Sequence, residues 1–132
     1  MLTFKARYIL LALLFIFSFS SSSSYADGIT KNVKFKKGMY SATYKGAVIR
    51  GDTDAYVLKA KSGQVMEVKI TSTESNAVFK IVDKKTKKTL PSAGSTDDAT
   101  TWKGELPSTG TYKIVVSGTR GNAEYEITIA IL

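Results

Sequence analysis

The chain contains neither cysteine nor histidine, and it has only one tryptophan and two prolines among 132 residues. Without cysteine and histidine, a Ser-His-Asp triad, a thiol nucleophile and an imidazole or thiolate zinc site are impossible. Carboxylate chemistry and a Ser-Lys pair remain open, but neither has a recognisable motif. The sequence therefore predicts a protein that is not an enzyme and needs no cofactor. Disulfides are also excluded, so packing and strand pairing alone must hold the fold.

The amino-terminal residues 1–26 have the pattern of a cleaved export signal. Lys5 and Arg7 precede an apolar run from Tyr8 to Phe19, and Ser24 to Ala26 provide small residues around a cut. The run is about 12 residues long, whereas a bilayer-spanning helix needs roughly 17 to 25. We therefore expect an exported protein that begins near Asp27 and has no membrane partner after cleavage.

The predicted mature chain is short and basic. Removing 26 residues from 132 leaves 106, which fits one domain, residues 27–132. Loss of Lys5 and Arg7 leaves 17 basic against 11 acidic side chains, a net charge of +6. The sequence shows no aromatic-rich surface of the kind that binds nucleic acid, so we expect no nucleic-acid partner. The positive charge should instead favour solubility and attraction to anionic glycans or lipid. The sequence does not fix the oligomeric state, and a homodimer stays open.

Apolar and polar residues alternate along most of the mature chain, which is typical of half-buried strands. Val33 and Phe35 begin this pattern, and the final strand covers Tyr125 to Ile131. We predict an all-β fold, an antiparallel β-sandwich of about eight strands. Short turns between the runs further predict that consecutive strands are antiparallel neighbours.

The large side chains on one face of each run are the expected core. These are Val33, Phe35, Tyr44, Tyr56, Leu58, Val68, Ile70, Phe79, Ile81, Trp102, Leu106, Tyr112, Ile114, Val116, Tyr125, Ile127 and Ile129.

Two groups of charged residues allow more than one interpretation. Asp52 with Asp54, and Asp97 with Asp98, could bind calcium or act as paired catalytic carboxylates, but Asp commonly caps tight turns and we favour that role. The lysine-rich run 84–88 could bind an anionic partner, but such a run more often forms a solvated turn and edge strand.

The segment from Ser117 to Asn122 stands out among the short connections. Gly118, Gly121 and Asn122 tolerate positive φ, so a hairpin before the last strand is the simplest interpretation. Turning does not require Arg120, however. Its planar guanidinium can grip a carboxylate through two hydrogen bonds, which suits insertion into an acidic cleft.

Several motifs together resemble the periplasmic inhibitors of invertebrate-type and goose-type lysozyme. The resemblance runs from about Val33 to the carboxyl end, and its motifs are Phe35–Gly38, Ser41–Gly46, Gly51–Tyr56, Ala60–Gln64, Leu106–Tyr112 and Tyr125–Ile129. The Gly-Gln and Leu-Pro-x-x-Gly-x-Tyr turns are shared with bacterial pre-peptidase C-terminal β-sandwiches, and they specify fold better than function.

The resemblance implies a protein that plugs the active-site cleft of a lysozyme with the loop between the last two strands. The matching lysozyme-binding residues are Ser117, Gly118, Thr119, Arg120, Gly121, Asn122 and Tyr125. Ser117 would offer a hydroxyl, Arg120 a charge-assisted contact, and Tyr125 would brace the loop. Since the segment carries one arginine and a Ser-Gly pair, the resemblance favours an invertebrate-type over a goose-type target. The alternative is an accessory module of the pre-peptidase kind that binds glycan or calcium.

Overall fold

Two face-packed β-sheets make up the fold in the computed structural model, which describes residues 28–94 and 99–132. One sheet has five strands in the order β1-β3-β8-β5-β6, and the other has four in the order β2-β9-β4-β7. The strands are β1 (Thr30–Asn32), β2 (Ser41–Val48), β3 (Thr53–Ala60), β4 (Val65–Ser72), β5 (Ala77–Asp83), β6 (Lys88–Thr89), β7 (Thr101–Glu105), β8 (Gly110–Gly118) and β9 (Ala123–Ile131). This architecture confirms the predicted all-β sandwich. Within the described ranges, no helix is long and apolar enough to cross a membrane.

The strands form where the sequence alternates, as β9 illustrates. Tyr125, Ile127 and Ile129 are buried between the sheets, while Glu124 and Glu126 are exposed. Because side chains in a strand point alternately to opposite faces, this pattern fixes which face of β9 enters the core. Most of the predicted core residues are buried, and the exceptions are Val33, Phe35, Tyr44 and Trp102, which are half-buried against the core. Trp102 lies on the edge strand β7, where its indole N–H donates to the carbonyl of Pro91 at 3.0 Å.

The prediction that consecutive strands pair as hairpins is wrong almost throughout. Among the described strands, β5 and β6 are the only consecutive pair that share hydrogen bonds, and each other connection joins one sheet to the other. The sheets of a sandwich lie about 10 Å apart, a gap that a few residues can cross. A short turn therefore does not identify a hairpin. The segment after β8 is accordingly an inter-sheet connection.

The first strand also differs from its prediction. Thr30 to Asn32 form β1, which pairs parallel with β3, whereas Val33 and Phe35 follow the strand. The backbone N–H of Val33 still donates to the carbonyl of Val57, so this segment continues along the sheet edge. The run 84–88 forms the turn and edge strand that we favoured.

Candidate functional site

Three connections meet at one end of the sandwich and surround the segment singled out in the sequence. They are Ile49–Asp52 between β2 and β3, Thr73–Asn76 between β4 and β5, and Thr119–Asn122 between β8 and β9, and we call them together the loop end. Within the last of these, Thr119 to Asn122 are all exposed. The turn that we predicted to meet a partner is therefore presented outward.

A single buried side chain, Asn76, holds this turn in place. Asn76 is 2% exposed, and its Nδ2 donates to the carbonyls of Arg120 and Asn122, each at 3.0 Å. Its own carbonyl accepts from the backbone N–H of Thr119 at 2.8 Å. Since a buried amide can replace the water that loop carbonyls would otherwise bind, these contacts fix the turn without covering it. Nothing in the sequence distinguishes Asn76 from an ordinary turn residue.

Two glycines allow the turn to close in different ways. Gly121 adopts φ +61°, a left-handed conformation that favours glycine. Gly118 instead needs space, because a Cβ there would lie 2.8 Å from the carbonyl oxygen of Gly121. Of the three residues that tolerate positive φ, Gly118, Gly121 and Asn122, Gly121 alone adopts it, and close backbone approach explains the glycine at position 118.

Two arginines, Arg50 and Arg120, lie on neighbouring connections at the loop end. The Nη2 of Arg120 donates to the carbonyl of Glu74 at 2.8 Å, which orients the exposed guanidinium. The backbone N–H of Arg50 donates to Oδ1 of Asn122 at 2.8 Å and ties the neighbouring connection to the same turn. Ile49, beside Arg50, is 59% exposed. The sequence analysis missed Ile49 and Arg50, which lie far from Arg120 along the chain.

Two of the predicted site residues lie apart from this turn. Ser117 belongs to β8, where it is paired with Thr53 on one side and Val78 on the other, and it is half-buried. Tyr125 belongs to β9 and is 5% exposed, with its ring between the sheets. Its hydroxyl is therefore placed to support the fold beneath the turn rather than to touch a partner.

Tyr125 is the centre of a buried hydrogen-bond chain that links the two sheets. Its hydroxyl donates to Oδ2 of Asp54 at 2.6 Å and accepts from the hydroxyl of Tyr56, also at 2.6 Å. Oδ1 of Asp54 accepts from the backbone N–H of Ile29 at 3.0 Å. Asp54 is therefore a buried strand residue and not a turn residue, in contrast to our favoured interpretation, and its carboxylate is turned away from any cation in solvent.

Asp52 does lie in a turn, between β2 and β3, where its backbone N–H donates to the carbonyl of Ile49. Asp97 and Asp98 lie outside the described residues. Within the described part of the chain, no three acidic side chains come together in a way that could hold a metal ion.

The buried tyrosines give the fold a defined response to alkaline pH. Burial, followed by the hydrogen bonds to Asp54 and Tyr56, raises the pKa of Tyr125 far above its ordinary value of 10.0. Burial also raises the pKa of Tyr56. Both side chains hold their proton more tightly in the folded chain, so their stabilising effect is complete below about pH 10 and is lost as the pH rises above it.

We therefore expect the free energy of unfolding to fall above about pH 10, with a slope that approaches about 1.4 kcal/mol per pH unit from Tyr125 and a further contribution of the same sign from Tyr56. Urea unfolding at about pH 9, 10 and 11 measures this slope. Tyr56→Phe should reduce this pH dependence by the part that Tyr56 contributes. Tyr40→Phe, at a 72% exposed position, should leave it unchanged. Equal slopes in all three proteins would contradict the assignment.

Comparison with known proteins places this chain in a defined group. No family model matches the chain. The inhibitor of g-type lysozyme from Escherichia coli K12 is 32% identical over 125 residues, which cover 95% of this chain and 79% of that protein. The chain belongs to the g-type lysozyme inhibitor family.

A crystal structure from the same family supports the assignment. The periplasmic inhibitor of g-type lysozyme from Aeromonas hydrophila superposes with a TM-score of 0.69 at 31% identity, covering 80% of this chain and 98% of that one. The family consists of inhibitors that are not themselves enzymes, as the missing catalytic side chains predicted. The preference for an invertebrate-type target, which depended on Ser117 and Gly118, is not supported by these relatives.

The relation to pre-peptidase domains holds at the level of fold. The pre-peptidase C-terminal domain of a Bacillus anthracis collagenase superposes with a TM-score of 0.57 at 16% identity, covering 77% of this chain and 95% of that domain. The turn motifs shared with those domains therefore indicated the fold and not the function.

Proposed function

We propose that this protein is a periplasmic inhibitor of goose-type lysozyme that blocks the enzyme's substrate cleft with its loop end. The observation that carries the proposal is the exposed turn Thr119–Asn122, fixed from below by Asn76, with the Arg120 side chain exposed and held at the carbonyl of Glu74. The Escherichia coli and Aeromonas hydrophila relatives are inhibitors of g-type lysozyme, which favours the goose-type target. Export through cleavage after Ala26 is part of this proposal.

The chemistry of the turn suits the cleft of a glycoside hydrolase. Such enzymes cleave their substrate with Asp or Glu side chains set in a groove. Arg120 offers several N–H donors to a carboxylate, and Arg50 provides a second guanidinium on the adjoining connection. Ile49 supplies an exposed apolar side chain beside them, of the kind that anchors an interface.

The rigidity of the turn adds to affinity in this proposal. Ordering a flexible loop at an interface costs about 0.5 to 1.5 kcal/mol for each immobilised side chain. Asn76 and the Arg120 contact with Glu74 order the turn before any partner arrives. A preformed wedge therefore binds with less entropic loss than a mobile loop would.

Inhibition assays test this proposal directly. The mature chain, residues 27–132, is titrated against goose-type, invertebrate-type and chicken-type lysozymes acting on a peptidoglycan suspension. We expect inhibition of the goose-type enzyme at the lowest concentration. Absence of inhibition of every class would refute the proposed function, and preferential inhibition of the invertebrate-type enzyme would refute the proposed target.

Arg120→Ala should raise the inhibition constant for goose-type lysozyme by about 10- to 100-fold, because a charge-assisted contact within the cleft is lost. The free energy of unfolding should change by less than about 1 kcal/mol, since the side chain is exposed. Arg120→Lys keeps the charge but lacks the planar guanidinium, so its inhibition constant should lie between those of the natural chain and Arg120→Ala. Lys61→Ala, in the turn at the opposite end of β3, is the control and should inhibit normally. Unchanged inhibition by Arg120→Ala would remove the guanidinium from the mechanism.

A further inference from the structure

The basic charge of the protein is unevenly divided between its two sheets. The strands of the five-stranded sheet contain only two acidic residues, Asp54 and Asp83, and both are buried, at 2% and 4% exposure. The same strands and the β5–β6 turn carry exposed lysines on the solvent side. The four-stranded sheet instead carries both lysine and glutamate side chains.

Lysine and glutamate oppose each other across neighbouring strands of the four-stranded sheet. Lys45 on β2 lies opposite Glu126 on β9, and Lys103 on β7 lies opposite Glu67 on β4. Cross-strand partners have Cβ atoms about 4.5 to 5.5 Å apart, close enough for their charges to offset each other. The excess positive charge therefore belongs mainly to the other side of the sandwich.

Three lysines occupy adjacent strands on the outer face of the five-stranded sheet. Lys59 on β3, Lys80 on β5 and Lys113 on the intervening β8 alternate with buried neighbours, which directs them outward. Lys113 lies in register with Val57 and Val82, so half-buried valines separate the lysines. We call Lys59, Lys80, Lys113 and the exposed turn lysines at 84, 85 and 87 the lysine face.

The lysine face differs from a surface that recognises sugars or nucleic-acid bases. Recognition of single-stranded nucleic acid relies on aromatic side chains that stack with the ligand, and Tyr and Trp supply apolar contact area at many other interfaces. Here Tyr56, Phe79 and Tyr112 of this sheet point inward and are at most 2% exposed. What remains outside is a broad lysine surface with small aliphatic residues between the charges. Such a surface fits a planar array of negative charge.

We propose that the lysine face docks the protein peripherally on an anionic phospholipid bilayer, with the lysines against lipid phosphates. Each lysine near such a surface strengthens binding about fivefold, and the attraction decays within one Debye length. This proposal revises the expectation of no membrane partner, which considered an inserted anchor. It is independent of lysozyme inhibition, because the loop end lies at one end of the strands and stays accessible when the sheet lies flat.

Vesicle sedimentation tests the proposal with the mature chain, residues 27–132. We expect binding to vesicles of phosphatidylcholine containing about one third phosphatidylglycerol, and none to pure phosphatidylcholine. Raising the salt from about 0.05 M to about 0.5 M should release the protein, because the Debye length shrinks severalfold. Binding to both vesicle types, or binding that ignores salt, would overturn the proposal.

The chain offers a matched pair of variants that separate position from total charge. Lys59→Gln/Lys80→Gln/Lys113→Gln should weaken partitioning to anionic vesicles roughly 100-fold, at about fivefold for each lysine. Lys45→Gln/Lys69→Gln/Lys103→Gln removes the same charge from exposed positions on the four-stranded sheet and should weaken it less than fivefold. Thermal unfolding confirms that both variants fold.

Three outcomes count against the lysine face. An equal loss of vesicle binding in the two triple variants would show that binding depends on net charge alone and not on its position. Sedimentation with purified peptidoglycan sacculi but not with anionic vesicles would assign the face to a cell-wall polymer instead. Unchanged binding by the first variant would exclude the face altogether. Lysozyme inhibition, measured separately without vesicles, should be normal in both variants, so failure here leaves the proposed function unaffected.

Discussion

Tyr125→Phe is expected to lower the free energy of unfolding by about 3 kcal/mol, although it removes a single oxygen and leaves the ring in place. The lost hydroxyl donates to Oδ2 of Asp54 and accepts from Tyr56, so both partners lose a hydrogen bond inside the sandwich. Hydrogen bonds to charged groups contribute about 1.5 to 3 kcal/mol, and leaving a buried charge without its partner costs more. Since small domains are stable by only about 5 to 15 kcal/mol, the loss should be large in proportion.

Urea unfolding at neutral pH measures this effect, and a double-mutant cycle assigns it to the pair. In the Asp54→Ala background, Tyr125→Phe should lower the free energy of unfolding much less than in the natural chain, because the carboxylate that accepts the hydrogen bond from Tyr125 is already absent. Tyr40→Phe, at an exposed position, is the matched control and should be neutral. A cost below about 0.5 kcal/mol for Tyr125→Phe in the natural chain would show that the buried chain does not stabilise the fold.

Asn76→Ala is expected to weaken lysozyme inhibition more than tenfold although the residue is buried beneath the contact surface. Its two N–H bonds to the carbonyls of Arg120 and Asn122 disappear, and the turn is no longer fixed before binding. The free energy of unfolding should fall by about 2 kcal/mol, from two hydrogen bonds at about 1 kcal/mol each. The loss of inhibition then reflects the entropy of ordering the turn at the interface.

Amide hydrogen exchange distinguishes this positioning role from general destabilisation. Residues 118–123 should exchange faster in Asn76→Ala, whereas the amides of β8 and β9 away from the turn should change only with global stability. Asn76→Asp has nearly the same shape but no N–H donors, and it should be at least as damaging. Thr73→Ala, an exposed change in the same connection, should leave inhibition intact. Normal inhibition by a folded Asn76→Asp protein would exclude the proposed role.

The relation between the two sheets explains which parts of the site were predictable. Arg120 and Gly121 carry a local signal, since a guanidinium and left-handed backbone geometry depend on residue type. Asn76 and Arg50 carry no such signal, because their roles arise from contact with a turn 44 or 72 residues away. The predicted pairing of consecutive strands was wrong for a related reason. A turn between sheets and a hairpin turn have similar lengths and compositions, so the sequence does not distinguish them.

The sequence by itself determined most of the strands, the inward face of most of them and the absence of histidine and cysteine chemistry, because alternation and residue type are local properties. Only the tertiary structure decided that Asp54 is buried with Tyr125, that Asn76 fixes the turn carrying Arg120, and that positive charge gathers on one sheet. Those features depend on which strands become neighbours, and strand order is fixed by packing two sheets around a shared core, a long-range choice that no short segment encodes.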